Sequence, residues 1–184
     1  MSTLVAIIIV IVAVIVVVAI AVALMRRRQT ENVREQFGPE YDRTVQETGD
    51  EGQARDLLVE RRKRVEKLNI QPLSDEARTQ YGDSWQSVQA EFVDDPSKAI
   101  ADADALVRNV MRDRGYPVGM FEQRAELISV DHPNVVQDYR IAHDIADRAA
   151  NGDASTEDLR EAMIHYRSLF QDLLGEPQTQ EAKA

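Results

Sequence analysis

Apolar and polar positions divide this chain into two unlike parts. From Leu4 to Leu24 every residue is apolar: 14 are Val or Ile, five are Ala and two are Leu. At about 1.5 Å per residue a helix of that length spans the roughly 30 Å hydrocarbon core of a bilayer. β-Branched residues favour strands in water. In lipid, however, the backbone of a lone apolar segment is satisfied only as a helix. The pattern therefore predicts a transmembrane anchor over residues 1–25. Arg26-Arg27-Arg28 follows at once, whereas Met1-Ser2-Thr3 carries no charge. Basic residues stay on the cytoplasmic side, so Arg26, Arg27 and Arg28 predict a single-pass protein of the cell membrane, with its N-terminus outside and its C-terminal domain in the cytoplasm. The competing reading is a cleaved or inverted anchor, with an extracytoplasmic domain. Ala19-Ile20-Ala21 and Ala21-Val22-Ala23 resemble cleavage sites, but the apolar run is longer than a signal peptide needs.

After Arg28 the apolar residues recur at helical spacing. The first helix is expected to run on to Phe37 and break at Gly38-Pro39, because proline disfavours helix in the residue before it. A short helix then starts at Pro39 and ends near Thr48-Gly49. These residues, 26–49, form a juxtamembrane joint. A charged helix follows over residues 50–68, with Ala54, Leu57, Leu58, Val65 and Leu68 on a narrow stripe that is interrupted by Arg61. Within it Arg61, Arg62, Lys63 and Arg64 form a basic run that either pairs along a solvated face or contacts anionic lipid head groups.

Ser74 reads as the N-cap of the next helix. On it Ala77, Tyr81, Trp85, Val88 and Phe92 recur every three or four residues, the spacing of one buried face. Asp95-Pro96 opens another helix, which buries Ile100, Ala103, Leu106, Val107, Val110 and Met111 and stops at Gly115. A short helix around Phe121–Ile128 ends at Asp131-His132-Pro133. The next carries Val136, Tyr139, Ala142, Ala146 and Ala149. The last begins at Ser155, with Asp158 completing a capping box. It aligns Leu159, Ala162, Tyr166, Phe170 and Leu173 and closes at Gly175. No segment alternates with period two.

The fold class expected is all-α: an N-terminal single transmembrane helix followed by a soluble bundle or array of about six or seven helices. The helical domain occupies residues 50–175 and a polar tail residues 176–184. Its expected core is Tyr81, Trp85, Val88, Phe92, Tyr139, Tyr166 and Phe170.

Charge sharpens this division. Residues 26–67 carry 11 basic and 10 acidic side chains, and residues 68–184 carry 11 and 22, which together give the formal net charge of −10. The membrane-near part is balanced and the distal part strongly acidic. This argues against nucleic acid as a partner, since its binding needs an excess of Lys and Arg. The absence of cysteine excludes thiolate catalysis, disulfides and cysteine-based zinc sites. His132, His143 and His165 have no metal-ligand spacing, and no nucleophile elbow, P-loop or dinucleotide-binding glycine pattern is present. His143 has Asp144 and Asp147 close in sequence, so a ligand- or metal-sensing domain built on His132 and His143 stays open as the alternative.

Several blocks together resemble an uncharacterised family of bacterial, actinobacterial-type, single-pass membrane proteins. They are Phe37-Gly38-Pro39-Glu40-Tyr41-Asp42-Arg43, Phe92-Val93-Asp94-Asp95-Pro96, Arg114-Gly115-Tyr116-Pro117, Ser129-Val130-Asp131-His132-Pro133, and residues 156–174. The resemblance implies an anchor plus a helical domain, and brings no activity, cofactor or catalytic residue. The function expected is that of a membrane-anchored cytoplasmic interaction or scaffold protein, not an enzyme. It needs no cofactor, and its partners are the bilayer and an unidentified protein.

Overall fold

The computed structural model describes residues 2–175, and the side chains of residues 2–13, 22–24, 26 and 27 lie outside that description. Arg26, Arg27 and the tail at 176–184 therefore fall outside the described residues as sites, while Arg28 is exposed. Among the described residues the chain is helical throughout. Its helices are α1 (Ser2–Phe37), α2 (Pro39–Thr48), α3 (Glu51–Val65), α4 (Asp75–Glu91), α5 (Pro96–Asp113), α6 (Phe121–Asp131), α7 (Val136–Ala150) and α8 (Thr156–Leu174). The all-α expectation is met, with seven helices after α1.

The transmembrane part of that expectation is corrected. Among the described residues no helix is long and apolar enough to cross a membrane. The apolar run is the first part of one continuous helix that carries on through a polar stretch to Phe37.

The chain divides into two compact units, residues up to Val59 and residues from Glu60. In the first, Gly38 takes the positive φ that turns the chain between α1 and α2, and Pro39 occupies the first helical position. Val33, Phe37, Tyr41, Ala54 and Leu58 are buried there. Arg34 reaches over the Tyr41 ring and pairs with Asp42 at 3.3 Å.

In the second unit α8 packs against α5 and α7, α4 packs on α5, and α6 packs on α7. The apolar faces of α5 and α8 hold the centre: Ile100, Val107, Val110 and Met111 meet a layer with Leu169, Phe170 and Leu173 buried. Each fully buried side chain of this size contributes about 1.5–3 kcal/mol. Helix starts follow the predicted caps. Ser74 Oγ accepts from Ala77 N at 3.1 Å, Asp95 Oδ1 accepts from Lys98 N at 3.0 Å, and Ser155 with Asp158 closes the capping box. Gly115 ends α5 at φ 97°, where a Cβ would collide with the Asn69 carbonyl oxygen. Gln71 N donates to Arg114 O at 2.9 Å beside it, tying the α3–α4 connection to the end of α5.

The aromatic stripe of α4 is only partly core. Trp85 and Val88 are buried, with Trp85 stacked on Phe170 at 4.7 Å between ring centroids. Tyr81 and Phe92 are half-buried. Tyr81 lies at the edge because its hydroxyl donates to Asp113 at 2.6 Å, and Phe92 because α4 stops at Glu91, leaving it as the C-cap beside exposed Val93. Tyr139, Tyr166 and Phe170 are buried as expected.

Candidate functional site

Three polar arrangements stand out in the second unit. The first is the basic run of α3. Arg61 is 7% exposed and donates to Ser129 Oγ at 3.1 Å, with Glu126 at 3.8 Å. It is therefore a buried bridge to α6, not a head-group contact, as its place on the inward stripe required. Arg62 lies 3.6 Å from Glu66, Lys63 3.9 Å from Glu60, and Arg64 3.0 Å from Glu126. Every member of the run has a carboxylate close by, which cancels much of its field.

The second arrangement joins the ends of three helices. Arg114, the C-cap of α5, donates through Nη1 to Leu173 O at 2.9 Å and to His132 Nε2 at 3.1 Å. Arginine can only donate. His132 Nε2 must therefore accept, which places the ring proton on Nδ1, where it faces Asp172. Tyr116 donates to Asp131 at 2.6 Å alongside. Burial, and then the Asp131 carboxylate, push the Tyr116 phenol well above its usual value. The network satisfies a carbonyl at the end of α8, where the helix itself supplies no donor, and fixes where α5, α6 and α8 meet.

The third arrangement is a trough across α7. On one side, between α5 and α7, lies a cleft of about 240 Å³. Ala101, Ala146, Ala149, Asp104 and Arg108 line it. On the other side, between α7 and the start of α6, a cavity of about 480 Å³ is bordered by Met120, Phe121, Glu122, Arg140 and Asp144. His143 and Asp147 line both. The His143 ring stacks on Phe121 with centroids 3.7 Å apart, its Nε2 lies 3.5 Å from Asp147, and its Nδ1 is buried without a protein partner among the described residues.

Beneath the trough a polar layer runs through the core. Arg124 is buried and donates to the Tyr139 hydroxyl at 2.8 Å and to Gly119 O. Burial raises the Tyr139 phenol to about 12, although the Arg124 hydrogen bond pulls it down. The Tyr166 hydroxyl donates to Asp104 at 3.2 Å, and Asp104 pairs with Arg108 at 3.0 Å. Asp104 is thus held from below by Tyr166 and from beside by Arg108, which fixes its carboxylate at the cleft wall.

His132 and His143 belong to separate arrangements, and His165 pairs with Asp138 at 2.8 Å. Among the described residues no three His, Cys, Asp or Glu side chains are grouped to hold a metal. Comparison with protein families, curated proteins and solved structures finds no match. Chemistry at this site is therefore read from its own side chains. In the sequence Phe121, Ala146 and Ala149 read only as apolar helix positions, and Met120 and Arg108 carry no site signal. Ala146 and Ala149 have core spacing along α7, and only the position of α5 leaves a gap beside them.

Proposed function

We propose that this chain is a helical interaction module whose distal, acidic unit takes a basic protein partner, and that it is not an enzyme. The observation that carries the reading is the trough, in which two cavities share His143 and Asp147 and four carboxylates stand at the lining against two arginines. Both arginines have nearby carboxylates, Arg108 with Asp104 and Arg140 with Glu122 at 3.6 Å. Asp147, Asp144 and Glu122 all stand open to a visiting cation, with side chains 69%, 76% and 74% exposed. The excess of acidic over basic residues beyond residue 67 extends the same field around the trough.

The test is fluorescence anisotropy of labelled octalysine and octaglutamate titrated with the full chain over a range of salt. The reading predicts saturable binding of octalysine only, weakening steeply as salt rises. No saturable binding of octalysine at low salt, or equal binding of both peptides, overturns it.

A further inference from the structure

The two halves of the trough differ in chemistry. The α5–α7 cleft is lined by alanines, by Asp104, which Tyr166 and Arg108 hold in place, and by exposed Asp147. Small apolar side chains beside carboxylates suit an aliphatic stem with a cation at its tip, the form of a lysine or arginine side chain. The α6–α7 cavity instead presents Phe121, flat against His143, and Met120, which is 80% exposed at its mouth. Exposed methionine beside an aromatic ring is the lining of a surface that takes apolar side chains. His143 and Asp147 are one helical turn apart and separate the halves, so an occupant crossing α7 meets both. Building on the reading above that the partner is basic, we propose that the trough holds an amphipathic basic segment of that partner, with a Lys or Arg in the α5–α7 cleft and an apolar side chain on Met120 and Phe121. Charge complementarity selects this occupant, because the open carboxylates around the cleft disfavour an acidic or wholly apolar one.

The experiment uses a fluorescein-labelled amphipathic Leu/Lys peptide of about 14 residues, roughly four helical turns, with octalysine as the purely cationic comparison. Three variants of the full chain probe the two halves. Ala101→Leu fills the cleft from its exposed rim, Asp147→Asn removes the open carboxylate, and Met120→Asp opposes the apolar half. Each is a surface change, checked for folding by circular dichroism. Each is expected to weaken the Leu/Lys peptide by about five- to tenfold, whereas Glu157→Gln in the first turn of α8 leaves it within about twofold. The Leu/Lys peptide is expected to bind more tightly than octalysine. If it binds but all three variants stay within about twofold of the unaltered chain, the trough is not its seat, and the proposal falls while the basic-partner reading stands. If octalysine binds as tightly as the Leu/Lys peptide, the apolar half of the proposal falls. If neither binds, both readings fall together.

Discussion

Replacing Trp85 by alanine tests how the second unit is held together. The indole is 6% exposed and lies on Phe170 with centroids 4.7 Å apart and planes 19° from parallel. Emptying such a site costs about 3–5 kcal/mol, of which ring stacking accounts for about 0.5–1.5 beyond the area removed from water. One effect opposes this. Trp85 Nε1 is buried and donates to no protein acceptor among the described residues, and an unsatisfied buried donor costs about 1–3 kcal/mol. Its removal returns part of the loss, so the net expectation for Trp85→Ala is about 2–4 kcal/mol. Trp85→Phe separates the two effects. It keeps a ring against Phe170 and drops the N–H, and should fall within about 1.5 kcal/mol of the unaltered chain. Because Trp85 is the only tryptophan, unfolding in urea is followed by far-ultraviolet circular dichroism. In thermal melts the alanine variant should lose roughly 6–16 °C, at about 3–4 °C per kcal/mol for a unit of this size. Trp85→Ala within about 0.5 kcal/mol of the unaltered chain, the usual range for a surface change, would show that the stack does not hold α4 to α8. A Phe variant that falls well beyond about 1.5 kcal/mol below the unaltered chain would refute the reasoning about the N–H, since the ring contact is kept and only the unsatisfied donor is dropped.

Other substitutions separate strain, collision and polar anchoring. Gly115→Ala and Gly152→Ala both force alanine into positive φ, at 97° and 80°. Only at Gly115 does the added carbon also meet backbone, while Gly152 faces open space. Urea denaturation should give about 1 kcal/mol for Gly152→Ala and distinctly more for Gly115→Ala. Arg114→Ala strips donors from Leu173 O and His132 Nε2 and should cost about 1.5–3 kcal/mol by the same method. Raising the pH tests Tyr81, whose phenol is pushed up to about 12 by burial and the Asp113 carboxylate. A phenol that ionises later in the folded chain binds more protons than in the unfolded one. Its contribution is therefore complete below about pH 10 and is lost as pH rises from there towards 12. Denaturation between pH 9 and 12 should show that fall, and Tyr81→Phe should lessen it by the share of one phenol, since the Tyr116, Tyr139 and Tyr166 phenols are raised as well.

Local signals made the helix boundaries legible. Ser74, Asp95-Pro96, Ser155 with Asp158, Gly115 and Gly175 each satisfy or release backbone groups within a few residues of themselves, so their effect does not depend on the rest of the fold. Periodicity also placed Trp85, Val88, Tyr139, Tyr166 and Phe170 inside. It failed where the end of an element decides exposure, as at Phe92, and where a polar atom holds a ring at the edge, as at Tyr81. Arg61 shows two sequence cues in conflict. Its position on the α3 stripe pointed inward and its charged neighbours outward, and Ser129 and Glu126, more than sixty residues away, settle the matter. The trough was not legible for the same reason. Asp104 and Arg108 come from α5, His143 and Asp147 from α7, and Met120 and Phe121 from the start of α6. Nothing local to any of these segments marks the gap that their packing leaves.

The central claim, that a basic partner lies across α7, is tested most directly by hydrogen exchange of the full chain with and without the Leu/Lys peptide. The account predicts slower exchange in residues 97–108 and 140–150 on binding, with residues 75–91 unchanged. Peptide binding that slows exchange elsewhere, and leaves α5 and α7 as they were, would contradict it.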